Sequence, residues 1–200
     1  GAWLGLAAAL CFFLASARKW KYLAALGILA AACLLAFPSI KDRVASLTTP
    51  SDDVSLSNRL YLSNAALALG LDHPMLGVGY GRGRLKEALR PRLQDTPLRD
   101  QPLLHSHNVY VELFAGTGLL GLLSFLWVSA GSLLRVAVTA RKRDGKSQLL
   151  GFALAASWIG VIVAGIGDIP FYHHETRIFF FTLVAAAHVY HSSNGDSPSL

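Results

Sequence analysis

A histidine at position 107, within the run His105-Ser106-His107-Asn108, stands where a polar stretch of about seventy residues passes into a long apolar segment carrying Gly118 and Gly121. Imidazole ordinarily titrates near neutrality, so a histidine at the mouth of a membrane helix can accept a proton from a hydroxyl brought to the bilayer surface. Arg59, in the same polar stretch, carries the complementary chemistry, because its planar guanidinium can clamp phosphate oxygens. Both have plainer accounts. A histidine at a span entrance also serves as an interfacial anchor, and an arginine on a loop helix is usually a solvated charge.

The elements that must hold these groups follow from composition. The 200 residues are 53% hydrophobic and 15% charged, with mean hydropathy +0.44. That balance fits a polytopic membrane protein rather than a soluble domain. The apolar residues fall in five blocks, 1–17, 22–37, 109–138, 149–167 and 178–190, each with few or no charges. Since about 20 apolar residues cross about 30 Å of hydrocarbon, they predict five spans in an all-α membrane domain covering residues 1–200. The first two are short and the chain does not start with methionine, so the expectation is the C-terminal part of a longer protein with further helices upstream. The cluster Arg18-Lys19-Trp20-Lys21 follows the first apolar run, whereas a signal peptide carries its charge before it.

Short loops rich in lysine and arginine stay in the cytoplasm. Arg18, Lys19 and Lys21 mark one such loop, and Arg141, Lys142, Arg143 and Lys146 the other. Residues 38–107 and 168–177 are then expected outside the cytoplasm, and the tail 192–200 inside. The loop 38–107 holds nine basic and seven acidic residues, a mixture suited to anionic head groups or diphosphates rather than to nucleic acid. Cys11 and Cys33 lie in apolar spans, where a thiol is a small hydrophobe.

Within the loop, the pattern from Ser55 predicts a helix capped after Asp52-Asp53 and stopped at Gly70, with Asp72-His73-Pro74 forbidding continuation. Gly77, Gly79, Gly81 and Gly83 then alternate, which lets backbone approach backbone or a ligand, or permits tight turning. With Arg82 and Arg84 they suggest a basic flap, but they lack the Gly-Lys-Ser/Thr ending of a nucleotide loop. Residues 85–93 predict a short basic helix ended by Pro91, and 94–104 a turn-rich linker. On the helix starting near Asn108, positions 107, 111, 114, 118 and 121 share a face, so Gly118 and Gly121 are expected to serve helix packing. Glu112, one turn in, must pair or stay protonated at that depth, and Asn108 is the expected partner.

A metal site finds thin support. Asp52-Asp53 is the one adjacent acidic pair, Asp53 also fits as a helix N-terminal charge, and Asp168, His173, His174 and Glu175 lack an ordered ligand spacing. No metal or other cofactor is expected.

His107-Asn108, nine residues, then Gly118-Leu-Leu-Gly121 resembles the His-Asn/Ser/Gln, nine residues, Gly-x-x-Gly signature of the bacterial O-antigen ligases. The Ser-Asn-Arg59 motif, the segment from Asp72 to Gly81 and the His-Ser-His-Asn run also resemble the wider superfamily of O-antigen ligases and polymerases, over roughly residues 55–135. The resemblance implies a multi-span bacterial inner-membrane enzyme of the GT-C type, with 38–107 as a periplasmic loop over the active site. It implies transfer of a glycan from undecaprenyl diphosphate to a sugar hydroxyl of the lipid A core, without metal or nucleotide. His107 would be the catalytic base and Arg59 a diphosphate-binding catalytic arginine, while Arg82, Arg84, His105 and Asn108 complete the candidate substrate-binding set. The family's other arginine would lie upstream of the present residues.

The chemistry agrees with that assignment: displacing a lipid diphosphate requires a base for the incoming hydroxyl and fixed positive charge for the leaving phosphate. An O-antigen polymerase or a protein O-oligosaccharyltransferase would use the same groups, and the acceptor distinguishes them. A transporter would place ionisable residues near mid-membrane, yet the second and fourth spans carry none between their ends. A scaffold of an envelope assembly complex would need the apolar spans alone.

Overall fold

The computed structural model describes residues 1–37, 54–96, 98–100, 105–168 and 174–194, with the side chains of Leu34, Val54, Ser55, Arg82 and His174 outside that set. Asp52-Asp53, His173, residues 101–104 and 195–200 of the tail lie outside the described residues, and with them the expected helix N-terminal charge and part of the Asp168, His173, His174 and Glu175 group weighed as metal ligands. Seven α-helices and one 3₁₀ turn are present among the described residues, and no strand: α1 Ala2–Ser16, α2 Trp20–Ala36, α3 Val54–Asp72, α4 Arg82–Leu89, the turn Arg90–Leu93, α5 Val109–Arg141, α6 Gly145–Gly167 and α7 His174–Asn194.

All five apolar blocks are helical. Two of them, α5 and α6, are long and apolar enough to cross a membrane, while α1 and α2 are shorter apolar helices. The block at 178–190 lies within α7.

The chain packs as two compact units. One holds residues 1–18 and 121–200. Here α1 lies along α6 through small residues: a Cβ on Gly5 would sit 2.4 Å from the Gly160 carbonyl oxygen, and Ala9 approaches Gly160. Removing side chains from a helix seam lets the backbones close on one another, which replaces the hydrophobic drive that lipid cannot supply. Trp158 and Phe125 pack against Phe180, with ring centroids 5.3 and 5.6 Å from it. Val136, Ala140, Phe152, Ala155, Ala187 and Tyr190 make a second cluster, and the Tyr190 hydroxyl donates to the Ser147 carbonyl at 2.8 Å.

The other unit, residues 19–120, positions the candidate site. Leu62, Ala66 and Leu69 recur at helical spacing on α3 and bury against Leu85 and Leu89 of α4, Leu93, Leu98 and Ala115. Burying a leucine is worth roughly 1.5–3 kcal/mol, so this cluster is what holds α3, α4 and the start of α5 together. An Arg92–Asp72 ion pair ties the 3₁₀ turn to the end of α3. The expected stop at Gly70 is corrected: α3 runs on to Asp72, because Gly70 makes room for the Phe114 ring, whose Cδ1 would lie 2.5 Å from an added Cβ. Pro74 ends the helix instead.

Candidate functional site

Helix α5 begins with Asn108 as its cap, whose Oδ1 accepts from the amides of Tyr110 at 3.0 Å and Val111 at 3.1 Å. An asparagine oxygen there satisfies amides that have no intrahelical partner. His107 therefore precedes the helix rather than sharing its face with Val111 and Phe114. Its backbone is left-handed, with φ 53, a conformation that an L-residue keeps only when its surroundings impose it. The surroundings are visible. Ser106, 1% exposed, donates its amide to Glu112 Oε2 at 3.0 Å and its hydroxyl to the Asn108 carbonyl at 2.8 Å. The Asn108 amide returns a bond to the Ser106 hydroxyl at 3.3 Å.

These bonds lock the run 105–108 onto the first turns of α5. The His105 and His107 rings consequently meet with centroids 4.0 Å apart and planes tilted by 45°. The expected Asn108 partner for the Glu112 carboxylate is corrected: the bond comes from Ser106, and Asn108 gives its side-chain oxygen to the helix cap. Glu112 is 8% exposed, and its buried carboxyl oxygen and the Ser106 amide satisfy one another, which neither could do with water there.

Further along α5 the helix is broken. Gly118 has φ 68 and ψ −166, a region open essentially to glycine alone. The bonds lost there, from the amides of residues 119 and 120 to the carbonyls of 115 and 116, are replaced one for one by the loop after α3. Val78 and Gly79 donate to the Ala115 and Gly116 carbonyls at 2.9 Å each, while Leu119 and Leu120 donate to the Pro74 and Met75 carbonyls at 2.7 and 3.4 Å. Residues 74–79 are thus laid into the break, roughly 13 Å along the helix at 1.5 Å per residue. Backbone groups freed inside a membrane must find protein partners, and here the loop supplies them.

Glycine is required for so close an approach. A Cβ on Gly77 would stand 2.5 Å from the Gly116 carbonyl carbon, and one on Gly118 would stand 2.3 Å from the Met75 carbonyl. The helix packing expected of Gly118 is accordingly corrected to loop insertion. Gly121 is half-buried on α5 beyond the break.

The expected arginines sit on neighbouring elements of the same unit. Arg59 is on α3, exposed, at the i−3 position to Leu62, and so extends the stripe that buries Leu62, Ala66 and Leu69. Arg82 opens α4. Arg84 folds back over the inserted loop, its Cδ 2.8 Å from where a Gly79 Cβ would be. Sequence reasoning singled out the alternating glycines but missed that they serve contact with α5, and missed Ser106 altogether. The available signal was the pairing of Pro74 and two glycines with a second glycine-rich stretch at 116–121.

A family model described as O-antigen ligase, Wzy_C, matches residues 1–126. The chain belongs to the O-antigen ligase family. The match spans Arg59, the inserted loop, the His105–Asn108 run and the break at Gly118. A comparison with curated proteins finds no match. Family membership and the apolar helices α5 and α6 together make this an integral membrane protein of the O-antigen ligase and polymerase superfamily.

Proposed function

We propose that the protein is an inverting, metal-independent glycosyltransferase that moves O-antigen glycan from undecaprenyl diphosphate to a sugar hydroxyl of the lipid A core. The observation that carries the reading is the His105–Asn108 run. Ser106, Asn108 and Glu112 hold it so that His107, its ring tilted against that of His105, sits immediately before a membrane-crossing helix in an O-antigen ligase family member.

In the proposed step His107 takes the proton of the acceptor hydroxyl as its oxygen attacks the anomeric carbon of the donor glycan. The bond from that carbon to the diphosphate breaks, and the lipid diphosphate leaves with the electron pair. One direct displacement inverts the anomeric centre. Arg59 meets the charge gathering on the leaving phosphate, and a guanidinium fixed on a helix does so without reorganising during the step. Arg82 and Arg84 at the flap, with His105 and Asn108, contribute to holding the substrates. The fold is of the GT-C type, in the bacterial inner membrane with residues 38–107 on the periplasmic side.

The test is transfer from purified lipid-linked glycan to lipid A core by the membrane-embedded protein, with and without EDTA. His107→Ala and Arg59→Ala are expected to lose at least about 100-fold in rate, the lower range for removing a positioned base or a charge-stabilising donor. EDTA should leave the rate unchanged. Normal turnover by both variants would overturn the roles, and abolition by EDTA would overturn the metal-free step. A product made only of polymerised repeat units, with no lipid A core conjugate, would assign the chain to the polymerases instead.

A further inference from the structure

Where the C-terminal end of α1, the C-terminal end of α5 and the start of α6 meet, the first unit encloses a cavity of about 550 Å³. That is within the roughly 300–1,000 Å³ usual for ligand sites. Its polar wall carries Arg18, Arg141, Asp144 and Gln148, and Leu149 and Phe152 supply an apolar wall. The two arginines come from segments more than a hundred residues apart, so folding, not local sequence, brings them to one opening. Arg18 is presented by a left-handed backbone, φ 55, just past the end of α1.

Arg143 donates to the Asn194 carbonyl, Ser147 donates to the Asn194 side chain at 2.6 Å, and Tyr190 donates to Ser147. Arg18 and Arg141, in contrast, make no ion pair with Asp144, and both are exposed and reachable. Two guanidinium groups face one carboxylate at this opening, with Lys142 on the same loop and Lys146 in the first turn of α6.

We propose that this cavity binds the phosphate head group of an anionic membrane lipid. The chemistry required is a phosphate monoanion for the paired guanidinium forks, joined to a glyceride body for the apolar wall. The loop 142–144 joins α5 and α6, the two helices long enough to cross, so the cavity opens at a membrane surface. The inside bias of lysine and arginine assigns that surface to the cytoplasmic leaflet, where anionic lipids gather and basic pockets between helices take their head groups. Exposed Leu149 and Leu150, beside the opening, offer the acyl chains a surface continuous with the bilayer. The site is separate from the transfer chemistry and does not depend on it.

The experiment is lipid binding to the purified protein in neutral detergent micelles, read as thermal stabilisation and by native mass spectrometry, with phosphatidylglycerol, phosphatidylcholine and inorganic phosphate as three arms. Phosphatidylglycerol is expected to bind and stabilise, and phosphatidylcholine and millimolar phosphate to do neither. Arg18→Gln and Arg141→Gln should each weaken the lipid about fivefold, the effect of one cation near a membrane phosphate. Arg177→Gln on α7, outside the cavity, should leave binding unchanged. Because a weakened variant can also be a misfolded one, Asp144→Asn supplies the opposite sign. It removes the one carboxylate of the wall while keeping a side chain suited to a helix N-terminus, and should tighten the lipid about fivefold. Equal binding of the two lipids, an Asp144→Asn variant that does not tighten, or phosphate binding as strongly as the lipid would overturn the proposal.

Discussion

Replacing Gly118 by alanine tests whether the break in α5 and the inserted loop are one structure. The added methyl would begin 2.3 Å from the Met75 carbonyl carbon and oxygen, about 1 Å inside the closest ordinary contact between nonbonded carbons. Neither partner is a side chain that can swing aside. Alanine also cannot hold φ 68 and ψ −166 without roughly 1–3 kcal/mol of backbone strain. The loop must withdraw, which forfeits the bonds from Leu119 to Pro74 and from Leu120 to Met75, each worth about 1 kcal/mol net and more away from water. The combined destabilisation of the interlock is about 3–5 kcal/mol, which at about 1.4 kcal/mol per decade raises its open fraction by roughly two to three and a half orders of magnitude. Hydrogen exchange of the protein in lipid nanodiscs reads this directly. Peptides covering 74–79 should exchange faster by that factor, while α6 peptides keep their protection. Unchanged protection at 77–79 in Gly118→Ala would refute the interlock.

Three further outcomes are expected. Glu112→Ala strands the buried Ser106 amide and should cost about 1–3 kcal/mol in local stability with a matching fall in transfer rate, whereas Glu112→Gln keeps an acceptor and should retain most of both; equal loss in the two would remove the tether to Ser106 from the account. Asn108→Ala, read by thermal unfolding, should cost about 0.5–2 kcal/mol through the lost cap, with Asn108→Ser recovering most of it. Gly5→Val should lower the melting temperature markedly, by overpacking worth at least about 1–3 kcal/mol against the Gly160 carbonyl, while Gly27→Ala, which meets no heavy atom within 4 Å, should not lower it.

The five apolar blocks were legible because hydropathy alone decides where a chain can be helical in lipid, and each block is a helix. The junction at His105–Asn108 was legible as a place, since a titratable pair beside an apolar run is a local pattern. Its geometry was not. His107 reads as the first residue of a helical face until the Ser106–Glu112 bond shows that the run turns out of the helix before it starts. Gly118 misled for a related reason: at helical spacing a glycine reads as a packing surface, and only the distant loop reveals a torsion that the helix cannot contain. Gly70 looked like a terminator, yet a glycine ends a helix only where the backbone must turn left-handed, and here the Phe114 ring needed the space instead. Arg18 and Arg141 read as charge flanking apolar runs, and their convergence on one cavity belongs to tertiary structure.

Helix α5 is not a transferable rod. Grafted into another protein without residues 74–79, it would either carry two carbonyls and two amides bare into hydrocarbon, at several kcal/mol apiece, or straighten at Gly118 and lose the break. During biosynthesis the same debt falls due, because the segment that settles it is made some forty residues earlier and must wait at the correct side of the bilayer for its helix to arrive. Recombination between relatives should therefore keep the two stretches together, and a chimera that parts them should stall at insertion rather than at chemistry.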